Sequence, residues 1–241
     1  MSDSTRAPGR GPLLRAGLAI SHGHLMTSDG NAFSPVRGPD GQFRDILDVA
    51  DAVTPQYDGL YITDLDGRRK GEPQLDYLQE LARDADVWLD AGVRVADEAI
   101  DGLVTGARRV VLSTATLSSA RDLRRAWKMS TEIVFEIVVA LDGSVLAIDS
   151  DWGGHPPSEV AASARAVGID TILYTPRAPT VDWGLVRILA AVGPTWVGGG
   201  YRPVEAASLA DSAAVGAVYH LPAELLIGSA AVPPEEGEVS Q

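Results

Sequence analysis

Two stretches of this chain repeat each other about half its length apart. Trp88-Leu89-Asp90-Ala91-Gly92-Val93-Arg94 returns 108 residues later as Trp196-Val197-Gly198-Gly199-Gly200-Tyr201-Arg202, with acidic residues following in matching places. A second pair, Asp58-Gly59-Leu60-Tyr61-Ile62-Thr63 and Asp170-Thr171-Ile172-Leu173-Tyr174-Thr175, repeats at an offset of 112. Strand-like runs repeated in order at nearly one offset imply a duplicated half-structure. In the second copy, three glycines lie between an apolar run and the helix start Pro203-Val204-Glu205-Ala206. Glycines let the backbone come close to a ligand, and the free N–H groups of a helix start suit a phosphate.

The rest of the chain fits a duplicated α/β architecture. Strand-like runs fall near Ala16–Ile20, Leu60–Thr63, Val87–Leu89, Val110–Leu112, Ile133–Val139, Thr171–Tyr174, Trp196–Val197 and Ala217–Tyr219. Helix-like stretches follow at Asp45–Val53, Pro73–Arg83, Asp97–Thr105, Ser119–Trp127, Ser158–Val167, Trp183–Ala191, Val204–Ser212 and Pro222–Ile227. Eight strand–helix units with a twofold repeat predict a closed (β/α)8 TIM barrel with half-barrel duplication, its ligand at the C-terminal ends of the strands. At 241 residues the chain suits one such domain over 13–229, between a disordered tail at 1–12 and an acidic one at 230–241.

Composition narrows the function. The net charge is −13 with scattered basic residues, which argues against nucleic acid or an anionic membrane as partner. Cysteine is absent, which excludes disulfides, thiolate metal sites and cysteine nucleophiles. No apolar run reaches the ~18 residues of a membrane span, and Met1–Gly11 lacks the apolar core of a secretory signal, so a cytoplasmic location is expected. Two connections are long: Ser21–Phe43, and Ile137–Ile148, where apolar arms flank Asp142-Gly143 as in a hairpin. Both are expected to act as lids over the mouth.

Four segments in order resemble the ProFAR isomerase family of histidine biosynthesis. Leu60-Tyr61-Ile62-Thr63-Asp64-Leu65-Asp66-Gly67 is similar to its second-strand Val-Asp-Leu-Asp-Gly, and Ala91-Gly92-Val93-Arg94 to its Gly-Gly-Ile-Arg. Val110-Val111-Leu112-Ser113-Thr114-Ala115 resembles its Val-Ile-Gly-Thr-Ala, and Gly198-Gly199-Gly200 its seventh-strand glycines. The resemblance implies a duplicated barrel, a bisphosphorylated ribosyl-aminoimidazole substrate, and an aldose-to-ketose isomerisation without metal or organic cofactor.

The departures bear on the reaction. Counting back from Gly23, Ala19 stands where the family's first strand ends in a carboxylate. The second carboxylate of the pair is expected at Glu136, with Asp142 as the alternative at the turn. The eighth-strand phosphate loop reads Val218-Tyr219-His220-Leu221-Pro222-Ala223, bulkier than the family's and short of an N–H at the proline. His220 and Tyr201 are candidates to contact a different group there.

The expected catalytic residues are therefore Glu136 and Asp64 as acid/base groups, with Thr175 donating to a sugar hydroxyl. Phosphate is expected at Gly92, Arg94, Ser113, Thr114, Gly198, Gly199, Gly200 and Arg177. Asp90 is placed to read a hydroxyl or amine, since its charge repels phosphate. His22, His24 and His155 lie in loops, and no metal site is expected. The function expected is proton transfer on a phosphorylated sugar or related metabolite, diverged from the standard histidine-pathway reaction. The competing expectation is a non-catalytic barrel that binds a ligand or partner subunit.

Overall fold

A computed structural model describes residues 11–28 and 32–227; the two predicted tails lie almost wholly outside them. The strands are β1 (Leu13–Ser21), β2 (His24–Ser28), β3 (Phe33–Pro35), β4 (Leu60–Asp64), β5 (Val87–Asp90), β6 (Arg109–Ser113), β7 (Ile133–Val139), β8 (Ile172–Pro176), β9 (Thr195–Val197) and β10 (Gly216–His220). Eight of them, β1 and β4 to β10, pair in parallel, and β10 closes onto β1 to complete the barrel. The helices are α1 (Ile46–Val53), α2 (Leu65–Lys70), α3 (Leu75–Asp84), α4 (Ala96–Val104), α5 (Ala120–Met129), α6 (Pro157–Val167), α7 (Trp183–Val192), α8 (Ala206–Asp211) and α9 (Ala223–Ile227). The protein is a (β/α)8 TIM barrel.

Strand alternation divides the apolar residues into two layers. Outward positions such as Ile133, Phe135 and Ile137 pack under the helices. Inward positions, Tyr61, Trp88, Val111, Val134, Leu173, Trp196, Val215 and Val218, fill the barrel itself. The repeat partners Trp88 and Trp196 meet across the axis with ring centroids 4.7 Å apart. The Arg15 guanidinium lies over both rings, 4.3 and 5.6 Å from their centroids, and pairs with Asp86 at 2.9 Å. This plug closes the N-terminal end, so only the C-terminal end is open for a ligand.

Two regions differ from the expected loops. Within Ser21–Phe43, β2 turns back antiparallel on β1 and β3 pairs with β2, because His24–Ser28 provides a run that buries Leu25 against α1. Between β4 and α3, the short helix α2 intervenes. The second long connection does turn back at Asp142-Gly143. Ala140 N–H donates to Ser144 O at 2.8 Å and Leu146 N–H to Val138 O at 2.8 Å, but the returning arm makes only one bridge, Val139 with Val145.

Candidate functional site

Above the tryptophan layer, the inward positions at the C-terminal rim are Ala19, Thr63, Asp90, Ser113, Glu136, Thr175, Gly198 and His220. Each is two residues on from an inward core position or in register with one. Glu136 is 2% exposed. Its Oε1 accepts from Thr175 Oγ1 at 2.8 Å, while Oε2 has no hydrogen-bond partner among the described residues. A buried carboxylate oxygen left open is costly, and such groups gather where a ligand or a proton is handled.

Asp90, on β5 in the other half of the barrel, is fully buried and within electrostatic reach of Glu136. Its Oδ2 accepts from Arg68 Nη1 at 2.5 Å and from the Tyr61 hydroxyl at 3.2 Å, and its Oδ1 from Gly92 N–H at 3.2 Å. Burial, helped by the Glu136 charge, holds the Asp90 pKa above the ordinary carboxylate value against the opposing pull of Arg68. The Tyr61 phenol is pushed well up by burial and then by Asp90 and Glu136, so it stays a donor. The Asp90 charge, with Glu136 behind it, keeps Arg68 firmly protonated. Arg68 reaches this position because Gly67 and Gly92 let α2 approach the β5 loop: a Cβ on Gly67 would lie 2.5 Å from Ala91 O.

His220, on β10, lies across β1. A Cβ on Gly17 would fall 2.7 Å from His220 Nδ1, so the glycine makes the space for the ring. The ring meets Tyr61 edge-on at 5.9 Å, and its nitrogens have no hydrogen-bond partner among the described residues. It opens to solvent within the mouth, yet the surrounding barrel wall, and then Arg68, hold its pKa below the ordinary imidazole value.

Several expected ligands are committed elsewhere. Asp64 points away from the barrel interior and caps α2. Its Oδ1 accepts from Asp66 and Gly67 N–H at 3.0 Å each and its Oδ2 from Gln74 N–H at 2.6 Å, which leaves no room for a base role. The Arg94 guanidinium donates to the carbonyls of Gly67, Gly92 and Arg68 at 3.1, 3.1 and 2.7 Å, so it clamps two loops rather than facing an anion. Thr114 holds the hairpin: its hydroxyl donates to Leu146 O at 2.8 Å and accepts from Val138 N–H at 3.1 Å, and its N–H donates to Glu136 O. The Gly92 amide serves Asp90, the Gly198 amide serves Tyr174 O, and the Ser113 hydroxyl accepts from Ala115 N–H.

The Gly199 and Gly200 amides have no partner among the described residues, and Arg177 is exposed on the neighbouring β8 loop. Asp142 is exposed and caps its own turn through Ser144. Tyr201 packs in the outer layer against Tyr219 rather than in the mouth. His22, His24 and His155 stay peripheral, beside Lys70, Phe43 and Glu159. Among the described residues, no three His, Asp or Glu side chains gather as a metal-holding group.

A sequence profile of the family described as histidine biosynthesis protein matches residues 41–176, more than half of the chain. The chain belongs to this family. Similar curated members include 1-(5-phosphoribosyl)-5-((5-phosphoribosylamino)methylideneamino) imidazole-4-carboxamide isomerases of Haloarcula marismortui and Natronomonas pharaonis. Each is 30% identical, over 61% and 58% of this chain and 64% and 60% of its own length. The isomerase of the same name from Thermomicrobium roseum is 39% identical over 34% of this chain and 35% of its own. The chain thus matches less than two thirds of these relatives' length.

Several loop amides are satisfied by the chain's own carboxylates. Glu98 Oε2 accepts from Arg94 N–H at 2.6 Å, Asp149 Oδ2 from Ala120 N–H at 2.6 Å, and Glu205 Oε2 from Arg202 N–H at 3.0 Å. These amides start the helical segments after β5, β6 and β9, where an anionic ligand would otherwise compete. Arg68 is the functional candidate that motif reading passed over. It stands one residue beyond Asp64-Leu65-Asp66-Gly67, and an arginine just after a barrel strand is the available signal.

Proposed function

We propose that this barrel is an acid/base enzyme that isomerises a phosphorylated sugar or a closely related small metabolite in the cytoplasm. The observation that carries the reading is the open, buried Oε2 of Glu136 in a mouth that also holds Arg68. In the proposed reaction, Glu136 removes a proton from the carbon next to a carbonyl or imine. The electron pair moves onto the heteroatom to give an enol-type intermediate. Glu136 returns the proton to the neighbouring carbon, while the hydroxyl of the first carbon passes its proton, through solvent, to that heteroatom and becomes the new carbonyl. Thr175 fixes the carboxylate, and Arg68 opposes the charge that builds on the heteroatom. Arg177 with the Gly199 and Gly200 amides is the best-placed group for one phosphate.

The isomerases named above act, by their names, on a compound with two phosphoribosyl groups. Two features favour a different substrate here: Ala19 carries no proton-transfer group, and Glu98 and Asp149 occupy amides of the loops after β5 and β6, across the mouth from the end given to the first phosphate. The test is proton exchange from D2O into a panel of aldose and ketose phosphates, followed by NMR. The reading expects exchange with at least one monophosphate and its loss in Glu136→Gln. Exchange that persists in Glu136→Gln overturns the assignment. Ligand-dependent melting shifts without exchange by any panel member would instead support a non-catalytic binding barrel.

A further inference from the structure

One side of the mouth is chemically unlike the rest. Between β1, β2 and β10 lies a cavity of about 380 Å³, walled by Ala19, Met26, Phe33, Leu221 and Pro222, with His220 at its inner edge. Thr27 and Ser28 contribute hydroxyls, and no lysine or arginine is among its lining residues. On the resemblance, this end of the barrel is where a phosphate loop would stand. Two of the donors that such a loop could offer are spent or missing. Leu221 N–H donates to Gly17 O at 3.2 Å, and Pro222 has no N–H to give.

We propose that this cavity is a subsite for an uncharged planar ring of the substrate. A phosphate brought here would exchange its hydration for apolar walls and two hydroxyls, which do not compensate for burying a charge. A flat ring suits the same surfaces, stacking on Phe33 and packing against the Met26 thioether. The His220 nitrogens, one a donor and one an acceptor when neutral, stand ready for a ring's polar edge.

The groups facing His220 are consistent with that neutral state. Arg68 approaches from α2 and opposes protonation, Asp90 from β5 favours it but is paired to Arg68, and Tyr61 from β4 presents its ring edge. The Arg69 guanidinium, on α2, lies 5.6 Å from the centroid of the Phe33 ring.

The subsite rests on the reading of the mouth as an active site, yet it can be tested without turnover. The chain has three methionines, of which Met26 lines the cavity and Met129 lies on α5, away from it. Methyl-labelled methionine NMR then reports occupancy, with Met129 as control and Met26→Leu for assignment. Imidazole-4-carboxamide riboside, a neutral ring with no phosphate, should shift Met26 and leave Met129 in place. Inorganic phosphate and ribose 5-phosphate at equal concentration should not shift Met26. Phe33→Ala should weaken the riboside by roughly tenfold, in line with loss of an aromatic stacking partner.

Glu136→Gln should keep the riboside shift while losing proton exchange, which separates failure of the subsite from failure of the catalytic assignment. A Met26 signal that follows phosphate, or one that ignores the riboside up to millimolar concentration, overturns the proposal.

Discussion

Glu136, midway along β7, and Asp64, at the end of β4, are both buried carboxylates, and their surroundings assign them opposite tasks. Asp64 spends its oxygens on three backbone N–H groups, whereas Glu136 has one oxygen held and one open. Asp64→Ala should therefore lower unfolding free energy by about 1–2 kcal/mol, the value of a helix cap. Denaturant titration checks this, and proton exchange per folded molecule should survive. Glu136→Gln should do the reverse: an unchanged or higher melting temperature, because a buried charge is removed, with exchange reduced by roughly 100-fold or more.

His220 gives a pH signature at the same scale. Its pKa in the fold is lowered, so below the unfolded imidazole's value of about 6.5 the unfolded chain binds more protons. The His220 contribution is thus intact above that pH and is lost as pH falls toward the lowered folded value. His220→Asn should flatten the stability profile across that window and leave it unchanged above pH ~7. An imidazole that titrates normally by NMR would contradict this.

Among the elements, the hairpin after β7 depends on one side chain from the preceding strand. Thr114 accepts from Val138 N–H and donates to Leu146 O, so it ties β6, β7 and the returning arm together. Thr114→Val keeps the shape and removes both bonds. It should cost about 1–3 kcal/mol, because a buried amide is left unpaired, and amide exchange at Val138 should accelerate with little change in β8 or β9.

This reassignment shows where sequence reading stops. The strands and their order were legible because apolar runs and turn residues recur at short range. The inward course of Glu136 was legible because a glutamate amid Ile-Val-Phe and Ile-Val belongs to one face of a strand. Asp64, Arg94 and Thr114 were misread. The partners of Arg94 and Thr114, Arg68 and Leu146, are brought close only by the closed barrel, whereas Asp64 caps the helix that follows it through the Asp66 and Gly67 amides. The same alternation that puts Tyr61 and Thr63 inward does turn Asp64 outward, so that error was avoidable. The Arg68–Asp90 pair was not, since it depends on how closely α2 approaches the β5 loop.

For the whole molecule, the duplication builds a symmetric frame and the rim breaks its symmetry. Trp88 and Trp196 remain equivalent, as do Thr63 and Thr175, but Asp90 on one side answers to Gly198 on the other. One half thus carries the Asp90–Arg68 pair. The other carries a bare backbone position, which leaves Thr175 free to hold Glu136. A ligand in this mouth would meet charge on one side and glycine amides on the other, which favours one orientation over its reverse. The asymmetry hinges on Gly198. A Cβ there would stand 2.6 Å from Thr175 Oγ1 and 3.1 Å from Leu173 Cδ1. Unlike Gly199 and Gly200, Gly198 does not have a positive φ, so alanine meets no backbone strain. Gly198→Ala should therefore fold, with a modest loss of stability, while it drives Thr175 off Glu136. Proton exchange should fall by roughly tenfold or more, as expected when a catalytic group is misplaced, while riboside binding at Met26 persists. Thr175→Val should reproduce that loss, and adding it to Gly198→Ala should cost little more, because both variants remove the same hydrogen bond. Full additivity of the two losses would show that Gly198 acts by some other route.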